Sequence, residues 1–308
     1  VTHRGPSTHR FVKINVRDIT RSYGTASHTT HHMTQSNLSI MTFNVGLAGW
    51  NVFGIQIDIV PETESRYEKI RDFIIAESAT HDVICLQEVF GAYRDQLLVD
   101  IASHYPHTYT HSNHLTGLCI VSKHTINEPR DGEYPLWNQL GTDIMFPKGY
   151  MGVMIGGNLV VNAQTSIGGG ISSTNIYVEL VRAKQIGELI AFVNWFDIFT
   201  PTHMRILCGD FNCAPEQSYK NYLQLCEHGY DVGRVDPLVT WDKNNPMIND
   251  SIVSKVFFSN DISQRCDLIF VRGDHYDEPF TPNITQYTTY CSELSDHYAV
   301  SCVISHPY

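Results

Sequence analysis

Asp210 and Asn212 stand at the end of an apolar run in the stretch Arg205-Ile-Leu-Cys-Gly-Asp-Phe-Asn-Cys-Ala-Pro215, and both residue types suit a phosphate ester. A carboxylate can orient a water and take its proton, while a carboxamide can donate to a non-bridging oxygen. Ile206, Leu207 and Cys208 read as a buried strand that Gly209 interrupts. Period-two alternation would then turn Asp210 and Asn212 to one side and Phe211 to the other. A strand closing in an Asx turn fits the same residues without any chemistry, so the partners decide.

Those partners lie at the ends of other strand-like runs. Asn44 closes Leu38–Asn44, Gln87 and Glu88 follow Asp82–Leu86, Asp267 stands near the start of Arg265–Val271, and Asp296 with His297 leads into His297–Ile304. Each has a plain structural alternative: a turn for Asn44, a helix cap for Glu88, a solvated edge for Asp267. Together they fit a sheet folded on itself that gathers all of them at one edge. Oxygen donors with few histidines favour Mg²⁺, or Mn²⁺, over zinc, with Glu88 as main ligand and Asn44 beside it. Asp267 would hold His297 in one tautomer, and Asp210 with His297 would activate a water.

The elements that must position these residues alternate between helix and strand. Ser65 and Glu68 have capping-box spacing ahead of a helix whose apolar face is Tyr67, Ile70, Phe73 and Ile74. Helices are also expected near Tyr93–Ser103, over Asn175–Asn194 with a stripe of Ile176, Leu180, Ala183, Leu189, Ile190 and Val193, and around Tyr219–Cys226. Further strands are expected at Gly117–Ser122 and at Tyr150–Ile155 and Asn158–Gln164, the last two joined by the hairpin signal Gly156-Gly157. Leu47–Val60 reads as an unusually apolar loop, Glu133–Tyr150 as a long functional loop or hairpin, and Pro237–Met247 as irregular.

The 308 residues can bury a large core, and no linker divides 37–308, which reads as a single domain. Residues 1–36 are polar and rich in His, Thr and Ser, so they read as a mostly irregular tail with an edge strand expected at 11–17. A net charge of −11 disfavours a protein that grips long nucleic acid by its backbone. No apolar run reaches the ~18 residues of a bilayer span. Cys85, Cys119, Cys208 and Cys302 lie inside apolar strands, where free thiols act as small core residues. This favours an intracellular setting, while the acceptor patterns at Asn37, Asn249 and Asn283 leave secretion open.

The blocks Thr42-Phe-Asn44, Leu86-Gln-Glu88, Gly209-Asp-Phe-Asn212, Cys266-Asp267 and Ser295-Asp-His297 resemble, in order and spacing, the motif series of the endonuclease/exonuclease/phosphatase superfamily. The resemblance implies a deoxyribonuclease I-like fold of the α/β class, a four-layer α/β/β/α sandwich, and Mg²⁺-dependent phosphoester cleavage by the residues named above. Gln87-Glu-Val-Phe90, Thr240-Trp-Asp242 with Asn245-Pro246, and Asp143 with Lys148-Gly149 are similar to the neutral sphingomyelinase branch. That likeness implies a sphingolipid headgroup substrate, yielding ceramide and phosphocholine. It adds Asp143 and Lys148 to the expected catalytic set, alongside Asp210, Asn212, His297, Asp267, Asp296 and Gln164.

Gln164 marks a departure, because the family usually reads Asn-Thr-His where this chain has Asn162-Ala-Gln164. Glutamine donates hydrogen bonds but carries no proton at neutral pH. A weakened or inactive binding homologue therefore stands as one alternative to the lipid enzyme, and a nuclease of the same fold is another. A lipid substrate implies peripheral membrane contact, for which Trp50, Val52, Phe53, Trp137 and Phe146 are candidates, each also fit for the protein's own core.

Overall fold

Most strands of this chain are apolar on both faces, so each face needs a cover. Two sheets packed on one another, with helices on their outer sides, supply it. The computed structural model describes residues 37–52, 55–58, 60, 63–167, 175–200, 202–234, 238–249, 262–275, 278–280, 283–290 and 293–305. In chain order the elements begin β1 (Leu38–Leu47), β2 (Gly49–Val52), β3 (Ile55–Asp58), α1 (Thr63–Glu77), β4 (Val83–Val89), α2 (Gly91–Ile101), β5 (His107–Thr110) and β6 (Cys119–Ser122). They continue with β7 (Asn127–Glu133), β8 (Gly149–Ile155), β9 (Asn158–Gln164), α3 (Ile176–Phe199), β10 (Met204–Asp210) and α4 (Tyr219–Cys226). The remainder are β11 (Tyr230–Asp231), α5 (Pro246–Asn249), β12 (Asp267–His275), β13 (Glu278–Phe280), β14 (Asn283–Tyr290) and β15 (Ala299–Ser305).

One sheet runs β14-β15-β1-β4-β6-β5 and the other β11-β12-β10-β9-β8-β7, with β13 beside β12. This is the α/β/β/α sandwich of the deoxyribonuclease I-like fold. Alternation along the strands sorts the core into three layers. Ile40, Val83, Cys85, Val160, Ile206, Cys208, Ile269 and Val300 meet between the sheets. Met41, Phe43, Ile84 and Leu86 face the other way, onto Ile70 and Ile74 of α1 and Leu97 of α2. Leu159, Val161, Leu207 and Phe270 pack on Ile186, Leu189 and Val193 of α3 and on Tyr222 and Leu225 of α4.

Two carboxamides cross the gap between the sheets. Asn162 of β9 donates to the carbonyls of Leu86 (2.9 Å) and Cys119 (3.0 Å), and Gln87 of β4 donates to Asn162 Oδ1 (2.7 Å). Buried carboxamides so paired fix how one sheet sits on the other.

Several expectations change. The gathered edge belongs to two sheets rather than one sheet closed on itself. Leu47–Val60 holds the antiparallel pair β2–β3, because Gly49–Val52 and Ile55–Asp58 satisfy each other's backbone groups. Helix α1 starts at Thr63, whose hydroxyl donates to Val60 O (2.9 Å), so Ser65 lies inside the first turn rather than ahead of the helix. In α3 the stripe is shifted: Ile176 and Leu180 are exposed and Val178, Ile186 and Phe196 are buried. The helix extends to Phe199, and the face that meets the sheet is set by Val178-Ile186-Leu189-Val193 spacing. Strands β5, β7 and β14, short or polar, gave no apolar signal. The turn Gly156-Gly157 has φ 57° and 81°, as a tight hairpin between β8 and β9 requires.

The seven cysteines among the described residues are free. No helix among those residues is long and apolar enough to cross a membrane. The unit Gln35–Tyr308 is compact. The tail with its strand at 11–17, and Phe53, lie outside the described residues, as do the side chains of Trp50 and Val52.

Candidate active site

Strand register builds one wall of the site. Asp210 pairs with Gln164 on the neighbouring parallel strand and with Asp267 on the antiparallel one, and Gln164 pairs in turn with Gly149, next to Lys148. Gly149, Gln164, Asp210 and Asp267 thus form a row across four adjacent strands, with Lys148 just outside the end of its strand. In β9, β10 and β12 the polar residue is the last member of an inward row: Val160-Asn162-Gln164, Ile206-Cys208-Asp210 and Ile269-Asp267. The facing sheet does the same with Ile40-Thr42-Asn44. The site is the polar cap on the core between the sheets.

Close approach of β9 and β10 is needed there, and Gly209 permits it. A Cβ at Gly209, whose φ is 146°, would lie 1.9 Å from Ala163 O. Only glycine fits.

Glu88 breaks its strand's alternation. Following Ile84 and Leu86 it would face α1, yet a left-handed backbone (φ 59°) turns it to the other sheet. There its Oε1 accepts from Gln164 Nε2 at 2.7 Å and lies 3.6 Å from Lys148 Nζ. A non-glycine residue in this region stores about 1–3 kcal/mol, a cost typical of functional positions.

The remaining groups close around Asp210. Its Oδ2 accepts from Asn44 Nδ2 (3.1 Å) and Gln164 Nε2 (3.3 Å) and lies 4.0 Å from His297 Nε2. Asn212 is also left-handed (φ 47°) and falls outside the strand, so the expected alternation does not apply to it. Its backbone N–H donates to Asp210 Oδ1 (3.2 Å) and its side-chain amide to Thr165 O (3.1 Å). Asn212 therefore shapes the Asp210 turn.

His297 Nδ1 donates to Asp267 Oδ2 at 2.8 Å. Burial alone would discharge the ring, but Asp267 and Asp210 outweigh it and hold the imidazolium well above its usual range. Burial also pushes Asp267 up, to about 6, against the pull of His297. Burial raises Glu88 too, but Lys148, His297 and the amides of Gln164 and Asn44 prevail and leave it lowered. Asp296, beside Ser295 Oγ (3.1 Å), is raised by burial and by Glu88.

Asp143 sits behind Lys148 and accepts from Ser166 Oγ. Burial raises it, against Lys148 and Ser166. Arg182, fully buried, fixes Ser166 by donating to its carbonyl (2.7 Å). Arg66, also buried, donates to Val45 O (3.0 Å), Gly46 O (2.7 Å) and Leu294 O (2.6 Å), tying the turn after Asn44 to the segment that carries Asp296 and His297. Thr240 Oγ1 accepts from the backbone N–H groups of Cys266 (3.0 Å) and Asp267 (2.9 Å). Sequence reading missed both arginines, because an arginine inside a helical pattern ordinarily marks a solvated face. Thr240 had surfaced only as part of a motif.

Two donor sets bear on a metal ion. Among the described residues, Asp210, Asp267 and His297 have ligand atoms within 4.8 Å of one another, close enough to share one. His297 spends Nδ1 on Asp267, which leaves Nε2 as its ligand atom in that group. Glu88 and Asn44 with the neighbouring carboxylates offer oxygen only, the set a hard divalent cation takes. The residues fit such an ion.

A model of the Endonuclease/Exonuclease/phosphatase family matches residues 41–297. The chain belongs to this family. No curated protein matches the sequence. Among solved structures of the family's fold, sphingomyelinase C from Streptomyces griseocarneus is similar at 18% identity and a TM-score of 0.60, over 87% of this chain and 99% of that one. A mutant beta toxin from Staphylococcus aureus with bound magnesium ions gives 18% and 0.61 over 87% and 99%. TDP2 from D. rerio, complexed with a single-strand DNA product, gives 20% and 0.60 over 88% and 99%. At these identities the likeness is one of fold.

Proposed function

We propose that the protein is a Mg²⁺-dependent phosphodiesterase that hydrolyses a sphingolipid headgroup to ceramide and phosphocholine. The lipid assignment is carried by one observation. The segment between β7 and β8, which brings Asp143 and Lys148 to the site, also exposes Leu136, Trp137, Ile144 and Met145. Large apolar side chains in water beside a polar site suit a substrate embedded in a lipid surface. Of the two aromatic candidates on this segment, Trp137 is 79% exposed, while Phe146 packs edge-on against Phe90. The net charge of −11 further disfavours a polyanion.

A divalent cation at Glu88 and Asn44 would neutralise charge on the phosphate. Asp210, an acceptor held by Asn44 and Gln164, takes the proton of the attacking water. The new bond joins that water's oxygen to phosphorus, and the bond from phosphorus to the ceramide oxygen breaks. His297 starts protonated, so it acts as acid: Nε2 gives its proton to the departing oxygen, and Asp267 steadies the ring. Lys148 keeps Glu88 ionised. The oxyanion is then met by fixed positive groups in a site with little water.

Sphingomyelin vesicles and plasmid DNA, each with Mg²⁺ and with EDTA, test this directly. Phosphocholine release that the chelator abolishes, with intact DNA, is the expected result. DNA cleavage without lipid turnover would establish instead the nuclease reading, which the likeness to TDP2 bound to single-strand DNA product favours. Turnover of neither would leave a binding homologue.

A further inference from the structure

Gln164 carries a polar atom that the protein itself leaves unused. The side chain is 1% exposed. Its Nε2 donates to Glu88 Oε1 at 2.7 Å and to Asp210 Oδ2 at 3.3 Å, spending both amide protons on carboxylates from opposite sheets. Carboxylates accept only, so the nitrogen must face them and the amide orientation is fixed by its neighbours. Oε1 is then left buried without a hydrogen-bond partner. An orphaned buried acceptor is costly, and native structures retain one where something else completes it.

What completes it follows from the surrounding charge. One carboxamide width away are Glu88 and Asp210, with Asp267 and Asp296 nearby, against the cations Lys148 and His297. Glu88 and Asp210 thus bring carboxylate oxygens from opposite sheets to this one amide, a concentration of acid with Lys148 3.6 Å from Glu88. A neutral donor would satisfy Oε1 and leave this excess of acid uncorrected; a divalent cation would answer both. We infer that Gln164 Oε1 is an additional ligand of the divalent cation, so that in this chain the position serves the metal rather than proton transfer. The same side chain would hold two carboxylates through its nitrogen and the ion through its oxygen.

The inference shares with the proposed function the presence of a cation but not the identity of the substrate, and its test involves no turnover. Calorimetric titration of the full chain with MgCl₂, and water-proton relaxation with Mn²⁺, are run on the wild type, Gln164→Leu and Gln164→Glu. Leucine removes both roles, and glutamate keeps an oxygen while losing the bridging N–H groups. Affinity is expected to fall at least about tenfold in Gln164→Leu, the scale of perturbed metal centres. It is expected to hold or rise in Gln164→Glu, and bound Mn²⁺ should gain a water in the leucine variant. Gln164→Met replaces leucine if that variant fails to fold. Loss of affinity in both leucine and glutamate variants would make Gln164 a bridge alone and overturn the assignment. Unchanged affinity in the leucine or methionine variant, or a wild type that binds neither ion, would overturn it equally. Ion binding as expected with no lipid hydrolysis would leave this assignment standing and remove only the proposed substrate.

Discussion

Asp267 and His297 set the charge state of the site. Because the folded pKa of His297 is raised above the unfolded value, its own contribution to stability is full below about pH 6.5 and is lost as pH rises through the folded pKa. Asp267, raised to about 6, instead costs stability as it ionises on the way up to that value. The Asp267→Asn variant should lower the imidazole pKa, followed by NMR of the ring protons, and bring the alkaline loss of activity to lower pH. An unmoved ring pKa would show that Asp267 does not hold the proton. For Glu88 the sign is opposite: its lowered pKa gives stability above the unfolded value of about 4.5 that fades as pH falls through the folded one. Replacing Asp210 by Asn should cost two to four decades in turnover, about the range of general-base catalysis. Glu88→Ala should abolish both turnover and the rise in Tm on adding Mg²⁺. These residues could be named from sequence because a carboxylate at a strand end is visible as such. The division of labour proposed for Asp210 and His297 could not, since it rests on a charge that Asp267 and Asp210 impose across space.

Strands were legible where their residues alternate or run apolar, as in Leu38–Asn44 and Arg205–Asp210, and illegible where an edge strand is polar, as in Asn127–Glu133. In the same way the apolar spacing of α3 does not mark its buried face at the first turns, where Ile176 and Leu180 stay in water. Apolar residues are not obliged to be buried, so periodicity over a helix this hydrophobic has more than one solution. The element with least tolerance is the end of β10. Gly209→Ala places a Cβ 1.9 Å from the Ala163 carbonyl oxygen, so β9 and β10 would have to part at the point where Gln164 and Asp210 pair. A loss of about 1–3 kcal/mol is expected in chemical denaturation, the scale of a forced backbone conformation. An alanine variant as stable as the wild type would mean the strands separate there at little cost.

On the scale of the molecule, the proposed lipid substrate implies contact through the exposed Leu136, Trp137, Ile144 and Met145 rather than through charge, because the chain carries a net −11. Trp137→Ala, with 79% of the native side chain in water, should leave folding unchanged and weaken binding to zwitterionic vesicles by about 1–3 kcal/mol, the transfer energy of a large side chain. Cosedimentation reads that loss, and turnover of a soluble phosphodiester should not fall with it. Equal loss on both substrates would assign Trp137 to the site's architecture. Added salt should have little effect, because few basic side chains need their counterions released.

The candidate residues for the proposed chemistry, the alternation that makes two-faced strands and the free thiols inside them were all determined by local pattern, which depends only on neighbours in sequence. Tertiary structure alone decided that Glu88 turns out of its strand, that Gln164 bridges carboxylates of opposite sheets, and that Arg66 and Arg182 are buried as struts. Each of these rests on partners distant in the chain, and a backbone dihedral or a buried charge is settled by what surrounds it in space.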